Sequence, residues 1–509
     1  MPLVRLIAEG VGPFRTLDLD LSDGNGKPHL GPHILAGVNG SGKSTVLRTI
    51  AWVLDRGELG FQYDDWMEML KGHPESRALL VVAPNDTPPY VLACSKSGPV
   101  LFGRYRSFES DSEQLADWVR SSLAKYEFPA AILATPTNAG SPDRALSSAA
   151  RFAKVKGIMS PPGSSDTLPT QPSGRGFTWL RFHKKQGQQE PEGLYNCAAY
   201  SPSKALRHLA SPDLGKTLPD SNKNCLAFES TPQNEEIQSW LLSLYSKRAI
   251  ARERNASGEE YTRSLGRFEA ALQAIYDAKV TFEVEIEPRL QPRLKLAGQS
   301  LNFSQLPDGV RSTVAWVADF MMREDLMQWD PSLRGRRPGI LLLDEVDAHL
   351  HPYWQRRLLP AMREALPDVQ IVATSHSPFV ISSCPNSRVH VLELESDGTA
   401  RARRPVDSPI GESVTTTLKE IFGVDSRFDI LTERQLDEWN GPKRREAAHA
   451  LSDAERERLK GLTNTLASRS EELRSIVASP QTVPKNVLES LLRVGNAAPP
   501  ARTRKRKSA

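Results

Sequence analysis

Cysteine is scarce, with four in 509 residues, and Cys94, Cys197, Cys225 and Cys384 show no paired spacing. That argues against a disulfide framework and a cysteine-based zinc site, and it suits the reducing cytosol. No apolar run approaches the roughly 20 residues needed to cross a bilayer. Met1-Pro2-Leu3-Val4-Arg5-Leu6 lacks the layout of a signal peptide. Charge of one sign is lacking too. Against 61 Asp and Glu stand 65 Lys and Arg, a net charge of +4, so bulk charge announces neither nucleic acid nor membrane. The expected class is a cytoplasmic, multi-lobed protein with a sizeable core.

What the sequence does have is Gly37-Val38-Asn39-Gly40-Ser41-Gly42-Lys43-Ser44-Thr45, a match to G-x-x-x-x-G-K-[ST]. His33-Ile34-Leu35-Ala36 reads as a buried strand leading in, and Val46 to Leu54 has helical spacing leading out. Glycines let successive backbone N–H groups converge on phosphate oxygens, and the helix N-terminus adds its positive dipole end. Lys43 would reach the β- and γ-phosphates, and the Ser44 hydroxyl would ligate Mg²⁺. Gly37, Asn39, Gly40, Ser41, Gly42, Lys43, Ser44 and Thr45 are therefore the candidate ATP-binding set.

Before this loop, Leu3 to Glu9 and Leu17 to Leu21 read as two strands joined by a turn at Gly10-Val11-Gly12-Pro13. Phe14 or Arg15 is open either as a base-stacking residue or as surface turn. After it, Leu79 to Ala83 and Tyr90 to Cys94 are the clearest strands, and Gln62 is open as a sensor of Mg²⁺ or as plain surface. Ser160 to Gly176 is mostly Pro, Gly and Ser, which reads as a linker. Beyond it stand the basic residues Arg181, His183, Lys184 and Lys185. Gln238 to Tyr276 reads largely as helix. Val280 to Glu287 alternates apolar and polar residues, a strand whose three glutamates form its wet face.

The second half of the nucleotide site lies far downstream. Gly339 to Leu343 is an apolar strand ending in Asp344 and Glu345, 301 residues after Lys43 in the case of Asp344. Asp344 is placed to hold Mg²⁺ at the strand's carboxyl edge. Glu345 is placed to orient and deprotonate an attacking water. A second buried strand, Val369 to Thr374, runs into His376, which could hydrogen-bond a γ-phosphate. Upstream, Leu306-Pro307-Asp308-Gly309-Val310-Arg311-Ser312 is a glycine turn opening a helix, a second anion-binding end.

Together these motifs resemble the ABC-class ATPases of the SMC and RecF kind. Asp344-Glu345-Val346-Asp347-Ala348-His349-Leu350-His351-Pro352, Ser375-His376-Ser377-Pro378 and Glu420-Ile421-Phe422-Gly423-Val424-Asp425-Ser426-Arg427 are similar to the OLD- and PtuA-type ATPases of bacterial antiphage defence. The resemblance covers about residues 1–60 and 300–430. It implies an α/β fold: a RecF-like head in which a mixed β-layer joins a parallel sheet with flanking helices. The expected organisation is 1–140 for the first half of the head, 141–300 for a helical insertion with its linker, 301–430 for the second half, and 431–509 for a helical C-terminal region.

The resemblance further implies ATP and Mg²⁺ as cofactors and two heads sandwiching two ATP molecules. Gly309 and Arg311 of one copy would then face phosphates bound by the other. As partners it implies a second copy of the chain and a separate effector such as an HNH-type nuclease, with DNA or RNA open and no membrane. Pro307 departs from the family pattern, which has a serine there. After Ser377 no Asp-x-Asp pair follows, so the TOPRIM nuclease of OLD proteins is not expected in this chain. A RecF- or SMC-like repair ATPase is the alternative, with a transporter ATPase subunit behind it.

The remainder reads as helix. Ser452-Asp453-Ala454-Glu455 is a capping box. Leu459, Leu462, Leu466, Leu473 and Ile476 form a stripe open to a partner helix or to ordinary packing. Arg502 to Lys507 is a basic arm, open to nucleic acid or solvent.

Overall fold

The short apolar runs fall on strands buried on both faces, as strands of a covered parallel sheet must be. The computed structural model describes residues 2–54, 73, 75–83, 90–95, 98–104, 113–125, 196–201, 225–228, 234–287, 290–327, 329, 333–424, 428–448 and 451–478. Gln62, the linker at 160–176, the basic cluster at 181–185, residues 425–427 and the basic arm lie outside them. The chain divides into two units, 1–423 and 424–509.

In the first unit, β1 (Leu3–Val11), β2 (Phe14–Asp20) and β3 (His33–Gly37) lead into α1 (Lys43–Leu54). Next come β4 (Arg77–Val82), β5 (Tyr90–Ser95), β6 (Gly98–Arg104), α2 (Glu113–Lys125) and β7 (Asn196–Tyr200). Helices α3 (Asn234–Glu253) and α4 (Glu259–Tyr276) precede a small antiparallel sheet of β8 (Val280–Glu285), β9 (Gln291–Leu296) and β10 (Gln299–Asn302). Then follow α5 (Asp308–Leu326), β11 (Gly339–Leu343), α6 (Pro352–Ala365), β12 (Val369–Thr374), α7 (Pro378–Ile381) and β13 (Arg388–Leu394). The unit closes with β14 (Ala400–Ala402), β15 (Val406–Asp407) and α8 (Val414–Phe422).

Two larger sheets build the layers. One is antiparallel, in the order β2-β1-β4-β5-β6. The other runs β14-β13-β3-β12-β11-β7, and β13, β3, β12, β11 and β7 are mutually parallel. Period-two alternation splits the parallel sheet's side chains between two cores. Leu35, Ile340, Leu342 and Val372 meet α1 and the antiparallel sheet, through Leu47, Ile50, Leu6 and Leu80 among others. Ile34, Leu341, Leu343, Ile371 and Ala373 share the opposite core with α3, α4, α5 and α6. The fold is α/β, a parallel sheet with helices on both faces and an antiparallel sheet over α1.

Several local readings meet the structure differently. β7 comes from the 141–300 segment, yet pairs with β11 inside the central sheet, Leu341 opposite Ala198. Helix 238–276 breaks in two after Glu253, where Asn255 takes φ +50. β8 ends at Glu285, so Ile286 is 73% exposed instead of continuing the buried face. Its glutamates are cross-strand ion pairs, Glu285 with Arg293 at 2.8 Å and Glu283 with Lys295 at 3.4 Å.

The second unit holds α9 (Ile430–Ala448), α10 (Asp453–Arg469) and α11 (Glu471–Ala478). The capping box is formed in full at Ser452 and Glu455. Leu459, Leu466 and Leu473 of the stripe pack on Leu436 and Trp439 of α9, with Leu462 and Ile476 at the margin. The stripe is this unit's own core.

Candidate functional site

Because β3, β12 and β11 run parallel, their carboxyl ends emerge on one edge of the sheet, where open α/β sheets bind ligands. Lys43, Asp344 and His376 come together there from three strand ends. β12 lies between the strand that feeds the phosphate loop and the strand that ends in carboxylates.

The loop's centre is open: Val38, Asn39 and Gly40 are exposed, whereas Ser41 and Lys43 are buried. The Ser41 hydroxyl finds no partner. The Lys43 ammonium donates to the Gly37 and Val38 carbonyls at 3.0 and 2.9 Å. Burial pushes its pKa down, against the pull of Asp344, Glu345 and Asp347. Ser44 Oγ donates to Asp344 Oδ1 at 2.9 Å, across 300 residues of sequence. A hydroxyl and a carboxylate converging in this way are the hard oxygen donors that Mg²⁺ prefers. Phe14 is fully buried, and its ring packs so closely on Gly42 that any side chain there would collide with it. It is therefore a prop for the loop and has no free face for a base. Arg15 stays exposed and pairs with Asp397 at 3.2 Å.

On the acidic side, Asp344 is half-buried and Glu345 exposed. The backbone N–H of Asp344 donates to the Tyr200 carbonyl of β7 at 2.8 Å. Glu345 sits at φ +46, a left-handed conformation that costs an L-residue about 1–2 kcal/mol. Thr374, absent from the residues singled out by sequence, donates its hydroxyl to Asp344 Oδ1 at 2.7 Å and accepts the Glu345 N–H at 2.6 Å. A hydroxyl at the end of a buried strand, two residues before a histidine, was the available signal. His376 is half-buried, and its backbone N–H donates to Asp347 Oδ1 at 3.3 Å. Burial and the nearby Lys43 lower its pKa while the three carboxylates oppose them, a net shift that favours the neutral imidazole.

The turn at Pro307–Ser312 opens α5 without a side-chain cap. Gly309 is buried against the same chain's His349 carbonyl, so that any side chain would collide with that backbone. Arg311 pairs with Asp308 of its own turn. Gly309 thus lies on the loop Asp347–His351 that follows Glu345. Gln355 holds this loop, donating to the Asp347 and Leu350 carbonyls at 3.0 and 2.9 Å. His351 is the N-cap of α6, accepting the Tyr353 N–H at 3.2 Å, with Pro352 in the first turn. Among the described residues, no group of His, Cys, Asp and Glu could by itself hold a metal ion. None of their helices is long and apolar enough to cross a membrane.

Residues 231–382 match the family model described as "AAA domain, putative AbiEii toxin, Type IV TA system". The chain is 23% identical over 241 residues to "Retron Vc95 probable ATPase" of Vibrio cholerae serotype O1 biovar El Tor, covering 44% of this chain and 45% of that protein. It is 31% identical over 123 residues to "Septu protein PtuA" of Bacillus thuringiensis, covering 22% and 31%. The chain resembles the ABC/SMC-like ATPases of antiphage systems. It spans less than half the length of these two relatives. Among solved structures, the SmcHead bound to the C-winged helix domain of ScpA aligns over 80% of this chain and 98% of that one, with TM-score 0.42 and 12% identity.

Proposed function

We propose that this chain is an ATP-hydrolysing subunit of an antiphage defence system, whose heads pair around ATP and so control a separate effector, such as an HNH-type nuclease. The observation that carries the ATPase reading is the Ser44–Asp344 hydrogen bond of 2.9 Å, which joins the phosphate loop to the acidic strand in one site. Ser44 and Asp344 would hold Mg²⁺, which when bound neutralises charge on the β- and γ-phosphate oxygens. The loop's N–H groups and Lys43 bind and orient the triphosphate. Glu345, exposed beside them, takes the proton of the attacking water. A neutral His376 has one N–H to donate to a γ-phosphate oxygen and a free nitrogen to accept.

Pairing of heads would bring Arg311 of one copy to the phosphates of the other, an isologous arrangement that completes both sites. Its test needs Arg311 and not Gly309, because a side chain at Gly309 would first disturb the His349 backbone of its own head. Lys43→Ala and Arg311→Glu chains should each be inactive. After subunit exchange, mixed dimers regain one intact site of two, and a 1:1 mixture should recover about one quarter of the wild-type rate. Absence of recovery in demonstrated mixed dimers would mean that each head acts alone. The effector reading supports a further expectation: purified alone, the chain should leave DNA and RNA intact with Mg²⁺ or Mn²⁺. Cleavage surviving both Lys43→Ala and Asp344→Ala would place a nuclease in this chain.

A further inference from the structure

Thr374 ends β12 between the two halves of the site and is fully buried. A buried hydroxyl without partners is destabilising, and this one both donates and accepts. A threonine hydroxyl has one proton to give. It goes to Asp344 Oδ1 at 2.7 Å, and the oxygen accepts the Glu345 N–H at 2.6 Å. The polarity of the chain of bonds follows: Asp344 accepts and the Glu345 amide donates. The Thr374 carbonyl also takes the Val346 N–H at 3.0 Å. Three consecutive residues leaving β11 therefore hang on one residue of the neighbouring strand.

That attachment is needed because Glu345 lies at φ +46. A left-handed glutamate persists only where its surroundings over-determine it. The β-branched side chain of Thr374 is stiff about χ1, so it can hold a position as well as fill one. Both hydroxyls, of Ser44 and Thr374, donate to the same oxygen, Asp344 Oδ1. Lys43 is held separately, by the Gly37 and Val38 carbonyls.

We infer that Thr374 is a positioning residue for ATP cleavage, whose single hydroxyl fixes the base Glu345 relative to the metal-binding carboxylate Asp344. The inference rests on the roles given above to Asp344 and Glu345. It separates two things that simple structural support would not: nucleotide binding should survive loss of the hydroxyl, and turnover should not.

Thr374→Val and Thr374→Ser are compared with wild type and Glu345→Gln for ATP affinity with and without Mg²⁺, for kcat, and for hydrogen exchange in the peptide containing Asp344 to Val346. The valine variant should keep ATP affinity within about threefold and lose about 10²-fold in kcat, as misplaced reacting groups do. Its peptide should exchange faster, because the Glu345 amide has lost its acceptor. Serine should restore both rate and protection. If valine does not fold, Thr374→Ala should show the same split between binding and turnover. A hydroxyl-free variant at the wild-type rate, serine as slow as valine, or affinity falling in step with kcat would overturn the inference. If Glu345→Gln also turns over at the wild-type rate, the assignment of the base has failed as well; if it is inactive while valine is active, only the role of Thr374 has.

Discussion

Glu345→Gln is expected to bind ATP as the wild type does and to lose turnover by about 10²–10⁴-fold, the contribution of a positioned general base. Glutamine keeps the size of the side chain and its backbone N–H, so the bond to Thr374 and the left-handed turn stay in place. What it lacks is a carboxylate to accept the water's proton. Asp344 retains its bonds to Ser44 and Thr374, so binding should be spared. ATP should then accumulate uncleaved, and any paired heads should persist. A variant hydrolysing at the wild-type rate would show that the base lies elsewhere.

Lys43→Ala is expected to abolish ATP binding at working concentrations. The ammonium is buried and tied to two carbonyls at the start of the phosphate loop. Removing one member of a buried, charge-assisted contact costs about 2–5 kcal/mol, roughly 30- to 5,000-fold in Kd. Equilibrium binding of a fluorescent ATP analogue measures the loss. Circular dichroism and thermal melting should show the fold intact.

The phosphate loop was legible because all its parts are contiguous, with strand, glycines, lysine and helix in one run. Asp344 and Glu345 were legible for a related reason: five apolar residues ending in two carboxylates can hardly be anything but a buried strand with a wet end. Phe14 was not, because its turn looked exposed and only tertiary packing brings its ring onto Gly42. β7 escaped notice since Asn-Cys-Ala-Ala-Tyr is too short for periodicity to classify, and its partner β11 lies more than a hundred residues away. The pattern of Gly309 reads as a turn glycine, yet the residue lies in the first turn of α5, and its burial under the His349 carbonyl depends on a loop forty residues later. Thr374 shows the same limit most plainly. Its identity is ordinary for a strand, and its importance comes from lying between two other strand ends.

The central claim is that the phosphate loop and the β11 carboxylates form one ATP-cleaving site. Bound nucleotide and released phosphate, measured on the same samples with radiolabelled ATP and Mg²⁺, test it most directly in wild type, Lys43→Ala and Glu345→Gln. The account predicts binding with phosphate release for wild type, neither for Lys43→Ala, and binding without release for Glu345→Gln. Wild-type binding and release by both variants would contradict it.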